Sequence, residues 1–381
     1  MRTNCENTES SSSHPAVRIM PGLLTLILMV IFATSITIIE GGDPLNLARI
    51  GTLYGENEHG GTEGYDGQFV YFIARDLNPK VVSPHLDVPA YRYQRILLPL
   101  SARLLAFGRA ELIPWTIPII SIIFHAFGTF ILSEILAGWG ISRWYALVYG
   151  LWVGFGLAIR LDLPEPMAYA LVISALFAEF KQKHLLAWVL LGLALFAKEV
   201  TVLYVFAVGL AYITERRWKD VFGIILISII PFLAFQVWLW ITFGSPGLGS
   251  GGAMATPFEV IPFMGLLRIG YESSLYLGAM LVVFVPAIIF PALWGIIASI
   301  QKFLQRETNM VVLALFLNSI IIAFLPFSTF RETGGLLRFS CGLVLAIILF
   351  VGKYHIRRAL NYSWFWLTFN VFLIKTGGIQ S

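Results

Sequence analysis

The stretch LLAWVLLGLALFAKEVTVLYVFAVGLAYI, residues 185–213, decides how the chain folds. It is apolar from end to end except for Lys198 and Glu199 near its centre. Two basic segments bracket it, KQKH at 181–184 and TERRWKD at 214–220. Short loops rich in Lys and Arg stay on the cytoplasmic side of a membrane protein. A single crossing would put these two loops on opposite sides. Two short helices meeting at Lys198-Glu199 put both on one side and the charged pair on the other. Each arm then has about 13–14 residues, below the ~20 that span a bilayer. Such arms are tolerated where their tip is buried in protein rather than in lipid.

The rest of the chain has the same character. Of 381 residues, 57% are hydrophobic and 13% charged, and the mean hydropathy is +0.79. Soluble domains carry about a quarter charged residues, so this composition excludes a soluble globular protein. It indicates an all-α, polytopic transmembrane helix bundle. The formal net charge of +4 carries no argument for nucleic acid, and no nucleic-acid partner is expected. Two cysteines, Cys5 and Cys341, give no expectation of a structural disulfide.

Residues 1–20 read as a disordered cytoplasmic tail, because the opening MRTNCENTESSSSHPAV has no apolar periodicity. Residues 21–381 form a single transmembrane domain that includes a long outer loop, 41–112. The run from Pro21 to Ile39 is an uncleaved first span. Further apolar runs follow at 113–137, 144–159, 166–180, the 185–213 hairpin, 221–243, 275–300, 310–327 and 335–351. With the N-terminus inside, the basic loops at 139–143, 181–184, 214–220, 301–306 and 353–358 all fall on the cytoplasmic side. That makes ten spans to Val351. NYSWFWLTFNVFLI (361–374) is an eleventh or an interfacial helix, so the expectation is about 10–11 spans. Within the outer loop, Gly67–Asp76 and Ile96–Phe107 have the spacing of short amphipathic helices.

This topology gathers the unusual charges on one face. The outer loop contributes EGYDGQFVYFIARDLNPKVVSPHLDVPAYRYQR, residues 63–95, with Glu63, Asp66, Asp76, Asp87, Arg75, Arg92 and Arg95. Arg160, Asp162 and Glu165 come from IRLDLPEP, Lys198 and Glu199 from the hairpin tip, and Arg331, Glu332 and Arg338 from FRETGGLLR. Ionisable groups at membrane helices are costly and persist where they pair or act. Guanidinium forks suit phosphate oxygens, and a carboxylate can serve as general base to an attacking hydroxyl. The chemistry indicated is transfer on a negatively charged, lipid-linked substrate.

The layout resembles the GT-C superfamily of integral-membrane glycosyltransferases: a first span, a long outer loop with an acidic residue and amphipathic helices, then a many-helix bundle. Tyr65-Asp66-Gly67-Gln68-Phe69, Ala74-Arg75-Asp76 and Tyr91-Arg92-Tyr93-Gln94-Arg95 resemble a branch of it linked to cell-surface glycopolymers. Glu165 and Lys198-Glu199 resemble its later polar signatures. The resemblance covers most of the chain in layout, while the motif match is confined to these short pieces. It implies an inverting enzyme that moves a sugar from a polyprenyl-phosphate donor to a glycan or glycolipid acceptor at the outer face of the cell membrane. Asp66 would be the general base, assisted by Glu63. Arg92, Arg95, Lys198 and Arg338 would bind the donor phosphate. Tyr65, Gln68, Arg75, Asp76, Glu165, Glu199 and Arg331 would orient the substrates. Unlike larger members, the chain ends at its last helix, which leaves acceptor recognition unassigned.

Plainer roles compete at each position. Asp next to Gly is ordinary turn chemistry, Arg92 and Arg95 can snorkel to the interface, and Glu165 can serve a helix N-terminus. The six histidines are scattered, so no obligatory metal is expected, while a divalent cation (Mg or Mn) held by carboxylates stays open. The rival classes are a transporter or flippase for lipid-linked glycans and a non-catalytic assembly subunit. A transporter would carry polar residues through to both faces and inverted repeats, neither of which is visible.

Overall fold

The computed structural model describes residues 15–374. Among them the fold is all-helical, with one isolated bridge, Ile50 to Gly64, and no strand. The expected disordered tail over 1–20 is corrected at its end. The first helix, Pro15–Ile39, takes in 15–20, because apolar residues extend its run backward. The remainder of that tail, 1–14, lies outside the described residues.

Among the described residues five helices are long and apolar enough to cross a membrane: Val17–Ile39, Ala110–Gly138, Trp218–Phe243, Ser274–Leu304 and Thr333–Lys353. The last is the most enclosed, with 89% of its apolar window buried. Tyr204 donates to its Gly342 carbonyl at 2.7 Å, and the Trp152 indole donates to Leu337 O at 3.1 Å. By contrast, Phe222, Leu226, Val237 and Ile241 of Trp218–Phe243 are exposed, as a lipid-facing helix requires.

The run at 144–159 is broken into Ala146–Gly150 and Val153–Arg160. A break in apolar surroundings frees backbone carbonyls that need donors. His125 Nε2 lies 2.9 Å from Gly150 O, and Asn370 donates to Leu151 O at 2.9 Å. Asn370 belongs to a 3-10 turn, Trp364–Asn370, within the aromatic C-terminal stretch, which packs along this broken helix through Leu373 on Gly156.

The 185–213 run is two helices, His184–Ala197 and Val202–Thr214, separated where Lys198 adopts extended backbone. The arms double back. Trp188 donates to the Tyr212 hydroxyl at 3.2 Å, and Arg217 Nη2 lies 3.1 Å from His184 Nε2. Buried Glu179 accepts from Tyr212 at 2.7 Å between them. KQKH and TERRWKD therefore meet at one end of the bundle. Arg18 and Arg143 join on Glu134, and Gly352 backs onto Leu136 and Trp139, so the other basic loops share that end. Residues 41–112, the 160–165 turn, Lys198-Glu199 and the segment after Phe243 occupy the opposite end.

Candidate functional site

The turn that presents Asp66 is built by its neighbours. Gly64 has φ +73°, and a Cβ there would stand 2.4 Å from Arg49 O. Tyr65 N donates to that same carbonyl at 2.9 Å. The buried Gln68 amide accepts from Gly51 N at 3.1 Å and donates to Glu63 O at 2.6 Å, tying the two sides of the turn together. The helix Gly67–Arg75 then begins against the 160–165 turn, where a Cβ on Gly67 would meet Leu161 O at 2.2 Å. Expected to be amphipathic, this helix is buried from Gly67 through Ala74, because other elements cover it on every side. Leu97–Leu105 does keep two faces, with Leu98 and Ala102 buried and Leu104 and Leu105 exposed.

Asp66 faces a cluster of cations. Arg92 Nη1 lies 3.0 Å from its carboxylate. The rest of that guanidinium is clamped by Asp87, at 2.7 Å through Nε and 2.8 Å through Nη2, and lies over the Phe69 ring at 4.3 Å. Arg95 grips Glu199 with two bonds of 2.8 and 2.6 Å and rests on Tyr91. Lys198 pairs with fully buried Glu165 at 2.6 Å, and Arg338 reaches the same Glu165 oxygen at 3.4 Å. Arg338 also donates to the Tyr65 hydroxyl at 2.7 Å and pairs with Glu332 at 3.2 Å, while Tyr65 donates to Glu332.

These pairings set the protonation. Burial alone would raise the Asp66 carboxyl, but Arg92, Arg338, Arg95 and Lys198 together outweigh it and hold it below its ordinary value. Asp87 likewise is raised by burial and brought lower by Arg92 and by backbone donors at Ala253 and Val88. The Tyr65 phenol is pushed well up, by burial first and by the Glu332 carboxylate, against the pull of Arg338. Beside Asp66 is a small recess of about 10 Å³, lined by Phe69, Val70, Ile73, Pro99 and Leu163, with Arg92 and Arg95 at its polar side.

Of the residues singled out in the sequence, Tyr65, Asp66, Arg92, Arg95, Glu165, Lys198, Glu199 and Arg338 come together. Glu63 is exposed and enters only through its backbone carbonyl. Gln68 is a brace for the turn. Arg75 is exposed at the far end of its helix, and Asp76 caps the next turn by accepting from Asn78 N at 2.8 Å. Arg331 is exposed and approaches Glu272 at 3.9 Å. Arg160 joins Glu40 at 3.2 Å, beside Arg49, in a separate cluster at the end of the first helix. Asp162 is buried, and neither carboxylate oxygen has a hydrogen-bond partner.

Two contributors went unassigned in the sequence. Asp87 clamps Arg92 from five residues away, a spacing bent by Pro89 and invisible to helical periodicity. The Gly-rich segment SPGLGSGGAMATP (245–257) lies over this clamp: Ala253 N donates to Asp87 at 3.0 Å. It is pinned at its other points by Gln236, which accepts from Gly247 N and Leu248 N at 2.9 Å, and by Ser328 with Thr256. Among the described residues no three His, Cys, Asp or Glu side chains form a metal-ligand group. Set against known proteins, the chain matches no family model, no curated protein and no solved structure.

Proposed function

We propose that this integral membrane protein is a GT-C-type glycosyltransferase that moves a sugar from a polyprenyl-phosphate donor to a hydroxyl of a glycan or glycolipid. The supporting observation is Asp66 set among Arg92, Arg95, Lys198 and Arg338, at the bundle end opposite the basic loops. With those loops cytoplasmic, Asp66 and residues 41–112 face the outside, and the short hairpin arms complete a bundle of about 10–11 passes.

The acceptor oxygen attacks the anomeric carbon, its proton passes to Asp66, and the bond to the phosphate oxygen breaks with its electron pair leaving on polyprenyl phosphate. A single displacement inverts the anomeric centre. Each cation of the cluster is already held by a carboxylate, so a donor phosphate competes with Asp66 for Arg92. The negative charge of the phosphate, sharing that fixed guanidinium, raises the Asp66 carboxyl toward a value useful to a base. Positive charge at Arg92 and Arg95 stabilises the departing phosphate. The test is transfer by purified protein from labelled polyprenyl-phosphate sugars to a membrane-lipid acceptor pool, beside Asp66→Asn. A fall of roughly 10²–10⁴-fold is expected on losing a general base. A folded variant that transfers as well as wild type would remove Asp66 from the mechanism.

A further inference from the structure

A second cavity lies far from these charges. It is a groove of about 420 Å³ between Ala110–Gly138, Glu165–Phe180 and His184–Ala197, within the ~300–1,000 Å³ range of ligand sites. Its wall is apolar and partly open, with Phe127 and Leu186 each 48% exposed. The one hydroxyl in it, Ser174, already donates to Ala170 O at 2.8 Å, so the wall offers nothing to a sugar or a peptide backbone. It suits a hydrocarbon chain.

One end of the groove is basic. Lys181 and Lys183 line it, both exposed, with the Lys181 ammonium 5.5 Å from the Phe177 ring centre. Among the described residues neither lysine has a carboxylate partner. The nearest in sequence, Glu179, is buried and taken by Tyr212, His184 and Arg217. Two unneutralised cations at the mouth of an apolar groove, at the membrane-surface end of a bundle, complement a phosphate head with acyl chains. We propose that this groove binds an anionic phospholipid of the bulk membrane, its phosphate on Lys181 and Lys183 and a chain along the wall beneath.

This site is distinct from the Asp66 cluster. Glu165 and Phe180 end the same 16-residue helix, so the two lie ~22 Å apart along its axis at 1.5 Å per residue. The proposal depends on insertion in a membrane and not on the transferase reading.

Thermal unfolding of the full-length protein in neutral detergent tests it, titrated with phosphatidylglycerol or with phosphatidylcholine of the same chains. Phosphatidylglycerol should raise the midpoint saturably and phosphatidylcholine should not. Lys181→Glu/Lys183→Glu should weaken the apparent phosphatidylglycerol affinity on the order of tenfold or more. Ser174→Trp should abolish the saturable response by filling the groove, and Lys181→Gln/Lys183→Gln serves if charge reversal prevents folding. Equal responses to the two lipids, or unchanged affinity in every variant, would overturn the assignment. So would competition by polyprenyl phosphate for the same response, which would make the groove part of the donor's path. A change of oligomeric state in the variants would mark the face as a contact between copies, with the same consequence.

Discussion

Arg95 and Glu199, 104 positions apart, form a two-pronged ion pair that fastens residues 41–112 to the tip of the 185–213 hairpin. Both side chains are largely enclosed, at 11% and 15% exposure. The pair lets a charged hairpin tip exist at all, since the tip ends in protein. Removing one partner leaves the other charge buried and uncompensated, a loss on the order of 3 kcal/mol. Glu199→Gln should therefore lower the thermal midpoint in detergent clearly, and Arg95→Met/Glu199→Met should recover part of it while transfer stays absent. A Glu199→Gln protein as stable as wild type would mean the pair does not anchor the loop.

Asp66 makes a prediction about pH. Its folded-state carboxyl is held below the unfolded value, ~3.9. The folded protein then binds this proton less readily than the unfolded chain. The stabilisation is present above pH ~4 and is lost as pH falls through the lower folded value. Asp66→Asn should lose less stability than wild type on acidification from pH ~5 to ~3. On the proposed transferase reading, kcat/KM should show no acid limb from Asp66 between pH ~5 and ~8, while kcat, reporting the donor-bound state, should show one at higher pH. A kcat/KM limb near pH 6 that vanishes in Asp66→Asn would contradict the ion pair with Arg92.

The Gly-rich segment over the clamp is sensitive at one position. A Cβ on Gly252 would stand 2.7 Å from Arg92 Nη2 and 3.3 Å from Asp87 Oδ2. Arg92 cannot swing aside cheaply, because Asp66 and Asp87 hold three of its nitrogens. Gly252→Ala should shift the segment or the guanidinium and weaken transfer on the order of ten- to hundredfold, with little change in thermal midpoint. Steady-state transfer kinetics beside a melting curve check this, and unchanged kinetics would place the segment outside the site.

Charge inside apolar runs was the legible signal. Lys198-Glu199 stands in the middle of an apolar run between two basic loops, and the positive-inside rule is enough to require a hairpin there. Glu165 and Arg338 were conspicuous for the same reason: an ionisable group beside apolar helices needs a partner. Packing partners were not legible. Nothing local distinguishes Asp87, which clamps Arg92, from Asp76, which caps a turn. Arg160 sits in the same short motif as Glu165 yet turns to Glu40, because the end of its helix lies beside the end of the first one. The break at Leu151-Trp152 depends on donors from His125 and Asn370, which no window of sequence brings together.

The orientation of the bundle can be read by labelling. Gln182 and Arg216 sit in the two loops that the hairpin brings to one end, while Glu58 and Met254 are exposed at the other. In a background with Cys5 and Cys341 replaced, a membrane-impermeant maleimide should label cysteine at 58 and 254 on intact cells, and at 182 and 216 only after permeabilisation. Labelling of 182 and 216 from opposite sides would break the hairpin and separate Glu199 from Arg95. A uniform reversal would leave the bundle intact but turn Asp66 toward the cytoplasm, against the positive-inside rule. The transferase would then need its lipid-linked donor on that leaflet, and purified-protein transfer would still proceed while transfer to acceptors outside intact cells would not.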